Sequence, residues 1–364
     1  MQLLNLHEFH STLGGRFVDV KGVEAVADYG DALGEHAALT AKAGVLDLGF
    51  RGRLCLTGTD RVRFLHGQVT NDIKSLKTGE SCYAALVTAK GRMQSDLYVY
   101  SLAEELLLDL EPGLTASVTE RLERYIVADD VQVIDVAPHY GLLSVQGPQS
   151  AAVVSSIAVM AKPPSEPFRY SKIVDPALGE IHVARQPRLG SEGFDLFVPV
   201  AALGRVAEKL VEASRSLGGR TCGWQALEMA RIEAGIPRFG QDMDENNLPQ
   251  ECGIEARSVS YTKGCYIGQE VLNRIHTLGH VNRELRGLRL ADHLTSLPQK
   301  GDRLFHAGKE MGSITSALAS PRLKQNIALA QVRRESTQMG TELTLRTAEG
   351  ESAARVVELP FIRS

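Results

Sequence analysis

An α+β fold ending in a small antiparallel β-barrel is predicted for this chain by three observations. Strand-like and helix-like stretches alternate through residue 283. From Leu285 to Arg363 the pattern changes to short strands separated by Gly, Pro and Asn turns. No repeat of about 20–50 residues, no heptad array and no low-complexity tract interrupts either part. We therefore divide the 364 residues into a larger region, 1–283, and a barrel region, 284–364. A chain of this length can bury a large share of its surface, and 43% hydrophobic with 23% charged residues is ordinary for a soluble globular protein.

The net charge of −4 gives no basis for a broad nucleic-acid footprint. Five cysteines (Cys55, Cys82, Cys222, Cys252 and Cys265) are scattered and never form Cys-x-x-Cys, so neither a disulfide framework nor a zinc site is expected. A reducing cytoplasm is the simplest compartment. The start, Met1 to Glu8, lacks the charged end and long apolar core of a signal peptide, and no apolar run approaches the ~20 residues of a spanning helix. No membrane contact is expected.

Taken in order, Arg53–Thr57 reads as a strand, followed by a helix carrying Val62, Leu65 and Val69 inward, with Thr59 or Asp60 as its N-cap. Cys82–Thr88 and Met93–Leu102 read as two strands around the turn Ala89-Lys90-Gly91-Arg92. With Lys90 and Gly91 as the loop residues, Tyr98 lies opposite Tyr83, and Asp96, Tyr98 and Tyr100 share a face with Tyr83. A carboxylate among three tyrosines suits a flat heteroaromatic ligand with nitrogens to hydrogen-bond. It equally suits an edge hairpin whose polar face meets water. Leu106–Leu110, Gly141–Gly147 and Gly193–Pro199 read as further strands, and Thr115–Ile126 as an amphipathic helix. The stripe Leu203, Val206, Leu210, Leu217 marks a helix ended by Gly218-Gly219, and a second helix carries Trp224, Leu227 and Ala230 inward. Lys162–Pro167 is a loop, and the acidic run Gln241–Asn247, lacking calcium-loop spacing, reads as a solvated loop. His276 and His280 stand four apart without the glutamate of a zinc-protease motif, so no metal is assigned.

The chemistry concentrates in Lys263-Gly264-Cys265-Tyr266-Ile267-Gly268-Gln269-Glu270. Glycines at 264 and 268 allow backbone shapes closed to other residues. A lysine two residues before a cysteine can raise its thiolate fraction, and the thiolate is the reactive form. Cys265 is thus either an exposed, reactive thiol on a tight loop or a buried one acting as a small apolar residue.

This octapeptide resembles the signature of the YgfZ-type folate-binding proteins, relatives of the glycine-cleavage T-protein. His66 to Asp72 resembles the same group, and Gly312–Ser316, Ser320-Pro321, Ile327–Ala330 and Leu359–Arg363 resemble the T-protein's C-terminal domain. The resemblance implies a three-lobed α+β body binding tetrahydrofolate, with a role in supporting iron–sulfur client proteins and Cys265 as the reactive group. It also implies an alternative, an aminomethyltransferase passing a one-carbon unit to tetrahydrofolate. On that resemblance Asp96 matches a T-protein aspartate near the reactive nitrogens of the folate, with Ser95 in place of a preceding aspartate. Asp195 matches a glutamate near the pterin, Arg231 is retained, and Leu227 replaces a folate-holding arginine. Pro187-Arg188-Leu189-Gly190-Ser191 replaces a Gly-Tyr-Thr-Gly-Glu run. The implied folate contacts are Tyr83, Asp96, Tyr98, Tyr100, Asp195 and Arg231.

Overall fold

Two compact units emerge in the computed structural model, which describes residues 1–157 and 162–362. The first comprises Met1–His66, Asp72–Tyr83 and Leu97–Ala230; the second comprises Gly67–Asn71, Ala84–Asp96 and Arg231–Ser364. Arg363 lies outside the described residues.

In the first unit a six-stranded sheet runs in the order Tyr170–Asp175, Gly179–Arg185, Gly193–Pro199, Tyr140–Gln146, Gly44–Asp47, Arg220–Thr221. Its centre is apolar on both faces. Phe194, Leu196 and Val198 point into one core with Leu203, Val206 and Leu210 of the helix Val200–Ser216. The intervening Phe197 faces a second core with Leu142 and Tyr100. Period-two alternation therefore puts Asp195 on the Phe197 side, a carboxylate with no route to solvent. Leu217 departs from the expected stripe. It is the C-cap and is exposed, and Gly218 at φ +75° ends the helix.

Met93–Ser101 pairs antiparallel with Leu106–Leu110, which pairs with Gly52–Thr57 and through it Gln132–Asp135. The hairpin turn differs from expectation. Gly91 N–H donates to Thr88 O (2.9 Å) and Thr88 N–H to Arg92 O (2.8 Å), a three-residue loop rather than a two-residue one. Gly91 takes φ +72°, so the left-handed position falls on glycine and lysine avoids it. The Tyr83 and Tyr98 rings still meet, with centroids 5.0 Å apart. The helix after Leu114 is Thr115–Glu123, shorter than predicted, and Tyr125 is exposed beneath the Arg121 guanidinium.

In the second unit six strands close a barrel in the order Arg283–Leu290, Gln325–Arg333, Lys309–Ser320, Arg303–His306, Glu342–Thr347, Gly350–Val357. Leu288, Leu304, Ile314, Ala330, Val332 and Leu345 fill its interior. The strand Arg303–His306 has only four residues and no alternation that would mark it in the sequence. Among the described residues no helix is long and apolar enough to cross a membrane.

Candidate functional site

The signature stretch folds as a loop that delivers the chain into the helix Gln269–Leu278. Gly268, at φ +86°, is the residue just before the helix, and Gln269 and Glu270 form its first turn. The loop is stitched to the Gly67–Asn71 segment. Ile267 N–H donates to Gly67 O (3.1 Å), Ser260 N–H to Thr70 O (3.0 Å), and Thr70 Oγ1 to Ser258 O (2.6 Å). The two stretches that carry the subgroup resemblance thus meet within one unit. Cys265 and Gly264 are exposed at the loop's outer side.

Lys263 behaves differently from expectation. Its ammonium is buried and donates to Val69 O and Asn71 O, both at 2.7 Å, while lying 4.8 Å from the Tyr266 ring centroid. Carbonyls and an aromatic face replace its hydration, so its work is to fasten the loop. Tyr266 is buried too, its hydroxyl pushed up to about 12 by burial and without a hydrogen-bond partner among the described residues. Tyr261 stacks on His276 at 3.8 Å, and both side chains bond Glu255. His276 is therefore a packing partner of the loop.

Gly268 is the hinge on which this geometry turns. A Cβ there would sit 2.6 Å from Thr88 O and 2.8 Å from Val87 Cγ2, and the backbone is left-handed. Gly268→Ala therefore lowers stability by about 2 kcal/mol, read as a shifted denaturation midpoint.

The first unit holds a buried ionic cluster that the sequence reading did not assemble. Arg188 places Nε 2.9 Å from Asp195 Oδ2 and its terminal nitrogen 2.5 Å from Asp109 Oδ2. Arg51 Nε binds the other oxygen of Asp109 at 2.6 Å and reaches Glu111 as well. The Arg188 guanidinium lies 5.4 Å from the Tyr98 ring centroid. Burial is the largest influence on Asp109, yet the guanidiniums of Arg188 and Arg51 outweigh it and hold the carboxyl below its usual value. For Asp195, burial wins over its one guanidinium, with repulsion from Asp109 added, and the carboxyl is raised. The two directions share one cause: the guanidiniums are divided unequally, Asp109 taking both Arg51 and Arg188 and Asp195 only Arg188.

This changes the reading of Asp195, which is engaged by Arg188 instead of facing an open ligand space. Arg231 is likewise committed: it bonds Asp242 (2.5 Å) and Ser316 Oγ (2.8 Å), both within the second unit. Asp242, expected in a solvated loop, is buried because it also accepts from Thr315 and Ser316. Tyr100 is buried against Phe197, ring centroids 5.1 Å apart, and burial, with Asp195 and Asp109 nearby, raises its hydroxyl far above the usual value. Asp96 is buried on the same strand, and Ser95 Oγ donates to Asp96 O at 2.8 Å. Two of the missed members left a legible trace: Asp109 is the single acid in Leu-Leu-Leu-Asp-Leu, and Arg188 sits in the replaced segment.

Residues 6–263 match the GCVT N-terminal domain model, and residues 283–362 match the glycine cleavage T-protein C-terminal barrel domain. The chain belongs to the glycine-cleavage T-protein family. Within that family it is 31% identical over 382 aligned positions to an aminomethyltransferase of Cupriavidus necator, covering 100% of this chain and 98% of that one. An aminomethyltransferase of Shouchella clausii is 29% identical over 359 positions, covering 98% of this chain and 97% of the relative. The crystal structure of glycine cleavage system aminomethyltransferase T from Bartonella henselae superposes with a TM-score of 0.88 at 25% identity, covering 100% of this chain and 98% of that one. The expected α+β fold with its antiparallel barrel is thus the T-protein fold. These likenesses establish the family and leave the YgfZ-type subgroup as a proposal.

Proposed function

We propose that this T-protein family member binds tetrahydrofolate and takes part in one-carbon transfer of the aminomethyl type. The observation that carries the reading is the end-to-end likeness to aminomethyltransferases; Asp96 stands where the resemblance implies the aspartate near the folate nitrogens. Tetrahydrofolate is the cofactor that fits this family. When bound, it supplies the nitrogen nucleophile that accepts the one-carbon unit.

The residues present fit a flat polar heterocycle in part. Tyr83 and Tyr98 offer paired ring faces, and the buried Tyr100 hydroxyl has no hydrogen-bond partner among the described residues, so a ligand can supply one. Asp195 joins them only if Arg188 releases it. In this reading Asp96 holds or accepts the proton displaced during transfer, as a positioned carboxylate can. The tyrosines exclude water and orient the ring, which raises the share of productive encounters.

A second reading is favoured by one observation, the exposure of Cys265 on the octapeptide loop. There the protein is of the YgfZ type, binds folate and supports iron–sulfur client enzymes through its thiol. One experiment separates the two: titrate the purified chain with tetrahydrofolate, then assay ammonia release from an aminomethylated carrier protein. Binding with release supports the transferase. Binding without release moves the assignment to the thiol-dependent role, and no binding removes folate from both.

A further inference from the structure

An open cleft of about 740 Å³ lies wholly within the second unit, away from the octapeptide's thiol in sequence and lining. Four arginines line it: Arg92, Arg283, Arg333 and Arg334. Two of them are fixed in place. The buried Glu251 receives Arg92 on one oxygen (3.3 Å) and Arg283 on the other (3.5 Å), and both arginines also donate to Asn246 O, at 2.7 and 2.9 Å. The other two are uncommitted. Among the described residues neither the Arg333 nor the Arg334 side chain makes a hydrogen bond or ion pair. Arg333 stands directly opposite Arg283 in the barrel register, although like charges facing each other across a pair of strands are destabilising. With Glu335 as the only other carboxylate among the described lining residues, positive charge is in excess.

We propose that this cleft binds an acyclic oligocarboxylate, a flexible chain carrying two or more carboxylates. Among the described residues the lining contains no apolar side chain and only one ring, His280, so it offers no platform for a nucleotide base and no surface for a lipid. Among the described residues it contains no glycine, serine or threonine, the residues from which phosphate cradles are usually built. Guanidinium forks match carboxylates two bonds at a time, and Glu251 shows a carboxylate shared between two arginines inside the cleft, one nitrogen from each. An anion between Arg283 and Arg333 turns their repulsion into a shared attraction.

Calorimetric titration of the full chain with tri-γ-glutamate at low ionic strength tests this, and no folate is present, so the outcome is independent of the reading above. Wild type binds, and added salt weakens the binding. Arg333→Gln with Arg334→Gln weakens it by about tenfold without lowering the melting temperature, because both side chains are exposed and the charge facing Arg283 is removed. A wild type that shows no binding at millimolar peptide overturns the proposal. So does an unchanged affinity in the double variant, or displacement of the peptide by tripolyphosphate at lower concentration than the peptide itself requires.

Discussion

Replacing Arg188 with leucine lowers the unfolding free energy at pH 7 by about 3–5 kcal/mol, the usual cost of breaking a buried ion pair by removing one partner. The size follows from what remains. Asp109 keeps Arg51, but Asp195 loses its guanidinium while staying fully buried. Leucine fills part of the space and satisfies none of the oxygens. The pH dependence gives the mechanism a signature. In the wild type, Asp195 is already raised, so its contribution is present below the ordinary carboxylate range and is lost as pH rises through the folded value. Arg188 is what restrains that rise, so its loss extends the window upward. Asp109 is lowered in the wild type, a contribution present above the ordinary range and lost as pH falls through the folded value; that contribution shrinks in the variant. Both changes tilt the same way, and the deficit of Arg188→Leu is smaller at pH 5 than at pH 7. Trp224 is the single tryptophan and lies in the same unit, so its fluorescence reports the transition. A deficit that is small and flat with pH would mean that the cluster is solvated and the charges do not depend on one another.

The same cluster shows where sequence reasoning reached its limit. Strands and helices were legible wherever one periodicity ruled a long stretch. Gly193–Pro199 alternates, and Val200–Ser216 carries a stripe that lands in one core. The pairing of Arg188 with Asp109 joins residues 79 positions apart, and neither neighbourhood contains a local sign of the other. Asp195 could be placed on a strand and on a face, but what faced it could not be read. Lys263 illustrates the converse. Its nearness in sequence to Cys265 suggested a thiol partner, whereas the backbone turns it inward onto carbonyls contributed by residues 69 and 71. Sequence adjacency fixes which residues share a loop, and the loop's hydrogen bonds decide which way each side chain points.

The functional assignment turns on a second contrast, between Asp96 and Cys265. If the transferase reading holds, Asp96→Asn lowers ammonia release by about 10²–10⁴-fold while tetrahydrofolate still binds. Asparagine has nearly the same shape as aspartate and keeps an acceptor oxygen, but its amide cannot take up a proton. A loss of turnover with retained binding therefore isolates proton handling from fit. Cys265→Ser changes one exposed atom, and surface substitutions of that kind shift energies by at most about 0.5 kcal/mol, so turnover stays within roughly a factor of two. The thiol-dependent reading expects the opposite order. Cys265→Ser then removes the ability to sustain iron–sulfur enzyme activity in cells lacking the wild-type protein, and Asp96→Asn matters only through folate. The two variants measured side by side assign the chemistry to the strand or to the loop, because serine keeps the cysteine's size without its nucleophilicity and asparagine keeps the aspartate's size without its base.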